Sequence, residues 1–365
     1  MEFDSPSSFR WRHAGILFLL LPFAACQSGE IPLTRFEDSP LIDSLLASAP
    51  HFVVNTDIEA GRWVASTRLG GPTDSLTLGR PTNMIAIGDS FYISDRQAEA
   101  IFAVGADGYL SRKIGRPGKA PGEFTYLSGL QYNGSHVFTR DQGRIQVFTE
   151  KFDYVHSFSY SSLWQRRFSV SSDLMLLECP EGSDRLICAR STSPPHTWIP
   201  SIELLPVLNL PDRSGEDSHI GAISPDGNRM ALAYMGFPYI FIYDDQLRHL
   251  RTIRFEGRNV QNFKSSGLPD GVPAGSMEPG TFAFITNVRF INSRYLVARA
   301  HKSDHYIFDL SKNDYEELAR KINFRPINDT EERKNISPAD FLLHKNHLYV
   351  TSSWEEYVYG YDFDL

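Results

Sequence analysis

The residue types best suited to metal chemistry lie together in segment 301–305, which holds His301, Asp304 and His305. Imidazole and carboxylate groups are good zinc ligands. On a tight hairpin, however, the two imidazoles would have to converge with a third ligand from another part of the chain. Nothing in the sequence identifies that ligand. We therefore expect no metal site and no cofactor here.

Motifs of established catalytic machinery are missing from the sequence. It has no Gly-x-Ser-x-Gly elbow, no P-loop, no His-Glu-x-x-His and no Rossmann glycine pattern followed by an acidic residue. The formal net charge is −8, whereas nucleic-acid binders normally carry a basic excess. We therefore expect neither a catalytic residue nor a nucleic-acid partner, and a binding protein is favoured over an enzyme.

The chain has three cysteines, and two of them flank a short polar turn. Cys179 and Cys188 lie between two runs that are typical of neighbouring strands. In an exported chain such a pair is expected to form a disulfide across the hairpin. Two free core thiols are the alternative. A metal site built on this pair is not expected, because neither a histidine nor a third cysteine lies at ligand spacing.

The third cysteine, Cys26, ends a segment that has the features of an export signal. Arg10 and Arg12 precede the apolar run 14–25. This run is too short to span a bilayer as a helix, which takes about 20 residues. Residues 1–26 are therefore a targeting segment outside the fold, and no other apolar stretch approaches transmembrane length.

The elements that must position these side chains follow from a repeat. Six times, a turn rich in Gly, Asn, Asp or Ser precedes a β-prone run. The turns are Gly88-Asp89, Asn133-Gly134, Ser171-Ser172-Asp173, Asp226-Gly227, Asn292-Ser293 and Lys345-Asn346. Several of these residues accept the positive φ of tight hairpins. Periods of about 40 to 50 residues with a β pattern are typical of propeller blades. The sequence predicts an all-β, six-bladed propeller of four-stranded antiparallel blades.

The ring is expected to close through its N-terminal strand. Segment 62–72 resembles segment 109–117, the outer strand of the first blade, yet no blade precedes it. The sixth unit lacks an outer strand of its own. We therefore expect the strand 63–69 to pair with the strand 357–361 and complete the last blade, which removes exposed sheet edges.

One face of the predicted ring collects the loops between second and third strands together with the loops between blades. These carry charged and aromatic residues, namely Arg96, Arg140, Asp141, Phe237, His301, Asp304, His305 and Trp354. Arginine beside an aromatic ring on a concave rim suits a glycan, a peptide or an anionic ligand. The alternative is purely structural, because hairpin tips are polar in any propeller and Asp often only caps the turn.

The connector 257–280, between the fourth and fifth blades, is long and rich in Gly and Pro. Loops of this length inside a compact domain are often functional. A lid or partner contact and an idle flexible loop are both left open.

Two stretches resemble known propeller repeats. Segment 115–124, GRPGKAPGEF, is similar to the glycine-rich blade connector of NHL-repeat propellers, and segment 223–231, ISPDGNRMA, resembles the blades of TolB-like propellers. The small residues before Cys26 resemble the bacterial lipoprotein signal, which implies lipidation of Cys26; an ordinary secretory signal is the alternative. As a whole the chain resembles the six-bladed propeller lipoproteins of Bacteroidota and relatives. This resemblance implies fold and export, but no particular activity.

The chain thus divides into a lipoprotein signal segment (1–26), a tether (27–60) with one short helix at 41–47, and a propeller (61–365). The expected function is that of a monomeric binding module, lipid-anchored in the cell envelope, whose partner is an envelope protein, a peptide or a glycan. The alternative is a metal-dependent hydrolase or lyase, similar to lactonases, with its site in the central channel. The predicted first strands offer Asn83 and Asn287 to such a site.

Overall fold

The computed structural model describes residues 40–70, 76–105, 107–159, 168–180, 182–208, 218–265, 283–301, 304–311, 319–327 and 336–364. The signal segment with Cys26 and the greater part of the connector 257–280 lie outside these ranges. Four elements precede the first blade: α1 (Pro40–Ala47), β1 (His51–Asn55), β2 (Gly61–Val64) and β3 (Thr67–Leu69). Helix α1 confirms the short helix predicted at 41–47.

The described strands form six sheets, each an antiparallel blade of four strands counted from the channel outward, and two of the blades gain a further strand. The first blade holds β4 (Pro81–Ile87), β5 (Ser90–Asp95), β6 (Ala100–Val104) and β7 (Leu110–Ile114). The second holds β8 (Gly129–Tyr132), β9 (His136–Asp141), β10 (Arg144–Thr149) and β11 (Tyr154–Ser159). The third holds β12 (Ser169–Val170), β13 (Leu174–Glu178), β14 (Arg185–Ser191) and β15 (Trp198–Pro206).

The remaining three blades follow in chain order. The fourth holds β16 (His219–Ile223), β17 (Arg229–Tyr234), β18 (Tyr239–Asp244) and β19 (His249–Glu256). After helix α2 (Arg258–Ser265), the fifth holds β20 (Ile285–Phe290), β21 (Tyr295–Ala300), β22 (Asp304–Asp309) and β23 (Ala319–Arg325). The sixth holds β24 (Asp340–His344), β25 (His347–Thr351), β26 (Val358–Asp362) and the N-terminal strand β3. The predicted six-bladed all-β propeller is confirmed.

Hydrophobic packing between successive blades holds the ring together. The third strands β6 and β18 are buried at every position, since neighbouring blades cover both of their faces. The outer strands β7 and β11 are largely exposed, as expected for strands that face water. At the last junction, Val358 of the sixth blade packs in one cluster with Met84 and Ile93 of the first.

We call the pairing of the N-terminal segment 61–69 with outer strands of the ring the clasp. It is divided between two blades. Strand β3 pairs antiparallel with β26, so that Leu69 lies opposite Val358 and Thr67 opposite Gly360. The sequence predicted that β2 and β3 form one continuous strand. Strand β2 instead pairs in parallel with β23 of the fifth blade. The step from one blade to the other occurs at Ala65 and Ser66, whose amides donate to Arg325 O and Gly360 O.

The described part of the predicted tether packs on the ring. Strand β1 adds in parallel to β19 and becomes a fifth strand of the fourth blade. Its Phe52 and Val54 are each only 2% exposed. Helix α1 buries Ile42 in the cluster that contains Leu205 and Tyr239. Residues 40–60, predicted as part of the tether, therefore include elements that pack on the propeller.

The predicted disulfide joins the Sγ atoms of Cys179 and Cys188, whose Cα atoms are 4.9 Å apart. Cys188 lies on β14 opposite Leu177, and the Cys179 amide donates to Leu186 O. The bond closes the hairpin of the third blade. In the chain-entropy model, closing a loop this short stabilises the fold by about 2–3 kcal/mol.

The first part of the connector 257–280 is fixed on the ring by α2. Phe263 is buried, and its ring centroid lies 5.3 Å from that of Phe284. The Arg258 amide donates to the Asp57 carboxylate, and Asn259 Nδ2 donates to Asp304. The choice between a lid and an idle loop concerns residues beyond the helix, which lie outside the described residues.

Candidate functional site

In an antiparallel blade, the turn between second and third strands and the link to the next blade emerge at the same end. We call this end of the ring the connector face. Its turns include 96–99, 142–143, 235–238 and 352–357, and its links include 76–80 and 115–128. The opposite face carries the turns between first and second and between third and fourth strands.

An arginine covers an exposed tyrosine on this face. Arg96, in the turn after β5, lies with Cζ 3.5 Å from the ring centroid of Tyr126. Tyr126 belongs to the link between the first two blades and is 47% exposed. Arg96 was a predicted site residue, whereas Tyr126 was missed, because only the fold brings this link over the neighbouring turn. The pair therefore consists of a guanidinium stacked over one face of an aromatic ring.

A second pair of this kind involves Trp354, which is 78% exposed. The Cζ atom of Arg80 lies 5.2 Å from the indole centroid. Arg80 Nε also donates to Ser353 O at 3.3 Å, which holds the guanidinium beside the turn. Trp354 comes from the sixth blade and Arg80 from the link into the first. The sequence predicted Trp354 for this face, but its partner Arg80 was missed.

Asp141 has a structural role at its turn. It is 2% exposed and pairs with Arg144 at 3.0 Å. It also accepts from Gln146 Nε2 at 3.3 Å. Burial raises the pKa of Asp141, and the Arg144 guanidinium opposes that rise. The neighbouring Arg140 is partly buried on β9, opposite Gly129.

Two of the predicted contact residues belong to the core instead. Phe237 is 1% exposed and packs with its ring centroid 5.9 Å from that of Tyr234. His305 is also 1% exposed, with its ring centroid 5.4 Å from that of Phe324 and 6.0 Å from that of Phe341. Their expected place on a ligand-binding rim is wrong, because neighbouring strands and blades cover both side chains.

The segment around His301 does not gather metal ligands. The carboxylate of Asp304 pairs with Lys321 Nζ at 3.0 Å and accepts from Asn259. His301 has a φ of 40° and its ring lies against Phe284. Within the part of the chain that the structure describes, no three His, Cys, Asp or Glu side chains are grouped so as to hold a metal ion.

Between the inner strands lies a small cavity of about 20 Å³, which has room for about one water molecule. Its lining residues come from the first five blades: Asn83, Ser128, Gly129, Gln131, Phe168, Ser169, Gly221, Ala222, Val288 and Arg289.

Beside the cavity, a buried network joins three blades. Asp340, on β24, pairs with Arg289 Nε of β20 at 3.0 Å. Its other carboxylate oxygen accepts from Asn83 Nδ2 of β4 at 3.1 Å and from the Met84 amide at 3.4 Å. Asp340 is 1% exposed. The Asn83 amide, which the lactonase-like alternative required for a metal, therefore faces a carboxylate already paired with arginine.

Two stacked histidines contribute to the contact between the second and third blades. The rings of His156 and His196 lie 4.4 Å apart with an interplanar angle of 20°. His196 Nδ1 lies 3.1 Å from Ser191 O and donates to it. Burial lowers the pKa of both rings. His136 lowers both pKa values further, His196 lowers the pKa of His156, and Arg190 lowers the pKa of His196.

We expect this stack to make the fold sensitive to acid. Well above pH 6.5, the ordinary pKa of histidine, both states bind the same number of protons, whereas near and below pH 6.5 the unfolded histidines take up protons that the folded ones do not. The free energy of unfolding should therefore fall from pH 7 to pH 5, by up to about 1.4 kcal/mol per pH unit and histidine. Urea unfolding should show a smaller fall for His156→Phe, and an unchanged fall would contradict the assignment.

The helices within the described ranges include none that is both long and apolar enough to cross a membrane.

Comparisons with known proteins support the fold. No family profile matches the chain, and no curated protein matches it. In structure it is similar to a Bacteroides fragilis protein that is described, by inference, as exported. The TM-score is 0.52 at 10% identity, covering 83% of this chain and 88% of that one. In all, 1070 solved chains are similar, so the likeness shows a widespread fold and not an activity.

Proposed function

We propose that this protein is an exported, lipid-anchored propeller that binds a peptide, a glycan or another envelope protein through its connector face. The observation that carries the proposal is the presence there of two exposed aromatic rings, Trp354 and Tyr126, each with a half-buried arginine over it, Arg80 and Arg96 respectively. The signal-like segment 1–26, the resemblance to NHL-repeat and TolB-like propellers, and the description of the Bacteroides fragilis neighbour support export.

The chemistry of these pairs suits such partners. An exposed indole or phenol ring stacks on the apolar face of a sugar or on a proline, at low cost in side-chain entropy. The adjacent guanidinium donates forked hydrogen bonds to a carboxylate. Both pairs lie on the part of the connector face that runs from the sixth blade, past the first, to the second. A ligand with apolar and acidic groups is therefore favoured.

Alanine variants test this surface. Trp354→Ala, Arg80→Ala and Tyr126→Ala should each weaken binding to ligands found on glycan and peptide arrays by about tenfold, the loss expected when one good contact disappears. The matched control is Tyr109→Ala. Tyr109 is 66% exposed but lies in the turn after β6, on the opposite face. Ligands whose binding depends on Tyr109 and not on Trp354, Arg80 or Tyr126 would contradict the proposal.

The anchor has its own test. If Cys26 is acylated as the first mature residue, mass spectrometry of the membrane fraction should find a lipid on Cys26. Cys26→Ser should then release a soluble protein. An unmodified mature N-terminus at another residue would contradict lipidation and leave an ordinary secretory signal.

A further inference from the structure

The two arginine–aromatic pairs of the connector face are joined to each other. The Arg96 amide donates to Arg80 O at 3.0 Å, so the two arginines are neighbours. From there Arg80 reaches Trp354 of the sixth blade, and Arg96 reaches Tyr126 of the link into the second blade. The order of side chains along the face is therefore Trp354, Arg80, Arg96 and Tyr126. We call these four residues the connector-face row.

A buried carboxylate fixes the middle of the row. Asp95, at the end of β5, is 0% exposed. One of its oxygens accepts from the Gly79 amide at 2.6 Å and from the Arg80 amide at 3.0 Å. The other accepts from the amides of residues 97 and 98, both at 2.9 Å. Asp95 thus holds the link that carries Arg80 and the turn that carries Arg96 in one arrangement. Such a preorganised surface loses little entropy when it binds a ligand.

The backbone of Tyr126 indicates a role for its ring. Its φ is 64°, in the left-handed region that bulky residues rarely adopt. Glycine adopts this conformation without strain. The Tyr126 side chain is 47% exposed, so its burial offsets only part of the cost. The conformation is held by the next residue, since Leu127 is fully buried and its amide donates to Glu99 at 2.8 Å. Strained backbone of this kind is concentrated at functional sites.

The repeated combination of one ring and one guanidinium narrows the class of ligand. Each pair suits a unit with an apolar face and one carboxylate, and a hexuronic acid carries both on a single sugar ring. A chain of uronic acids repeats this unit as the row repeats the pair. A peptide would need a separate apolar and acidic residue at each pair. Glu355 and Glu356 follow Trp354 in its turn, so a densely charged sulfated or phosphorylated chain would be repelled.

We propose that the connector-face row binds an acidic oligosaccharide, with one uronic acid unit on each arginine–aromatic pair. This inference rests on the proposed function and names the class of ligand for it. Each sugar ring stacks on the open face of Trp354 or Tyr126, and each carboxylate accepts from the guanidinium beside that ring.

Titration calorimetry with tetramers of galacturonic, mannuronic and glucuronic acid tests the row. At least one tetramer should bind saturably and about tenfold or more tightly than its monomer, because two linked units engage two pairs at once. Methyl esterification of its carboxylates should weaken it by about tenfold, since the charged acceptors are lost. The proposal is overturned if no tetramer binds, or if the ester or the monomer binds as tightly as the tetramer.

Tyr126→Gly separates binding from folding. It removes the ring but relieves the strained φ, so the melting temperature should change little while the tetramer binds only about as tightly as the monomer. Trp354→Ala should have the same effect on binding from the other pair. Tyr109→Ala, on the opposite face, should leave the tetramer affinity unchanged. Full affinity of the tetramer for both Tyr126→Gly and Trp354→Ala would overturn the proposal.

A hexapeptide of alternating Pro and Glu distinguishes failure of this inference from failure of the proposed function. It should not displace the tetramer from the protein. If the peptide binds instead of the tetramer, and Trp354→Ala weakens it, the connector face is a peptide site: the proposed function stands and this inference fails. If ligands of every class bind Trp354→Ala and Tyr126→Gly as they bind the unaltered protein, both fail.

Discussion

A chain that begins at Pro72 should lose its cooperative thermal transition. The truncation removes β3, so that β26 becomes an open edge, and it also removes α1, β1 and β2 with their buried residues. The loss should exceed about 5 kcal/mol, which is the lower end of the stability of a typical domain. Melting within a few degrees of residues 40–365 by calorimetry would show that the ring does not depend on these strands.

A single glycine isolates the clasp from the other N-terminal elements. A Cβ at Gly360 would lie 2.4 Å from Thr67 Cγ2 and 3.1 Å from Tyr349 Cε1. Gly360→Ala should therefore force β3 away from β26 and cost about 2–3 kcal/mol. Thr67→Ser removes the nearest methyl group and should restore part of that loss. Gly61→Ala on β2 is the control, because its Cβ would meet only Lys321 O, at 3.6 Å.

Asp340→Ala should cost about 3–5 kcal/mol, the range for breaking one side of a buried ion pair. The change leaves the guanidinium of Arg289, the amide of Asn83 and the Met84 N–H without their acceptor beside the channel. Because these groups come from the fifth and first blades, the loss should appear in the cooperative urea transition of the whole ring.

The control for this change is Asp89→Ala. Asp89 pairs with Lys345 at 3.1 Å, but both side chains are more than 60% exposed, at 78% and 67%. Surface pairs contribute from about 0 to 1 kcal/mol. Equal losses for Asp340→Ala and Asp89→Ala would show that the buried network does not hold the inner strands together.

The blades could be predicted because their signals are local. Turn residues such as Gly134 and Gly227 adopt positive φ, at 94° and 77°. The β-prone runs beside such turns are typical of hairpin strands. The disulfide followed from the same logic, since Cys179 and Cys188 flank one hairpin. The clasp was predictable in part, because β3 copies the outer strand of the first blade.

The local sequence pattern does not predict the contacts between blades. Phe237 and His305 lie in turn and strand positions that suit a rim, yet neighbouring strands bury both. The split of segment 61–69 between the fifth and sixth blades depends on which outer edge each half meets, and both edges accept a strand.

The sequence by itself determined the number of blades, their hairpin turns and the disulfide, because residues near one another in the chain specify these features. Only the tertiary structure decided which side chains meet on the connector face and in the channel. Arg80 reaches Trp354 across the junction of the sixth and first blades, and Asn83 reaches Asp340 across 257 positions of the chain. Such pairs form when six separate sheets pack into a ring, and the packing depends on the summed contacts of all the blades.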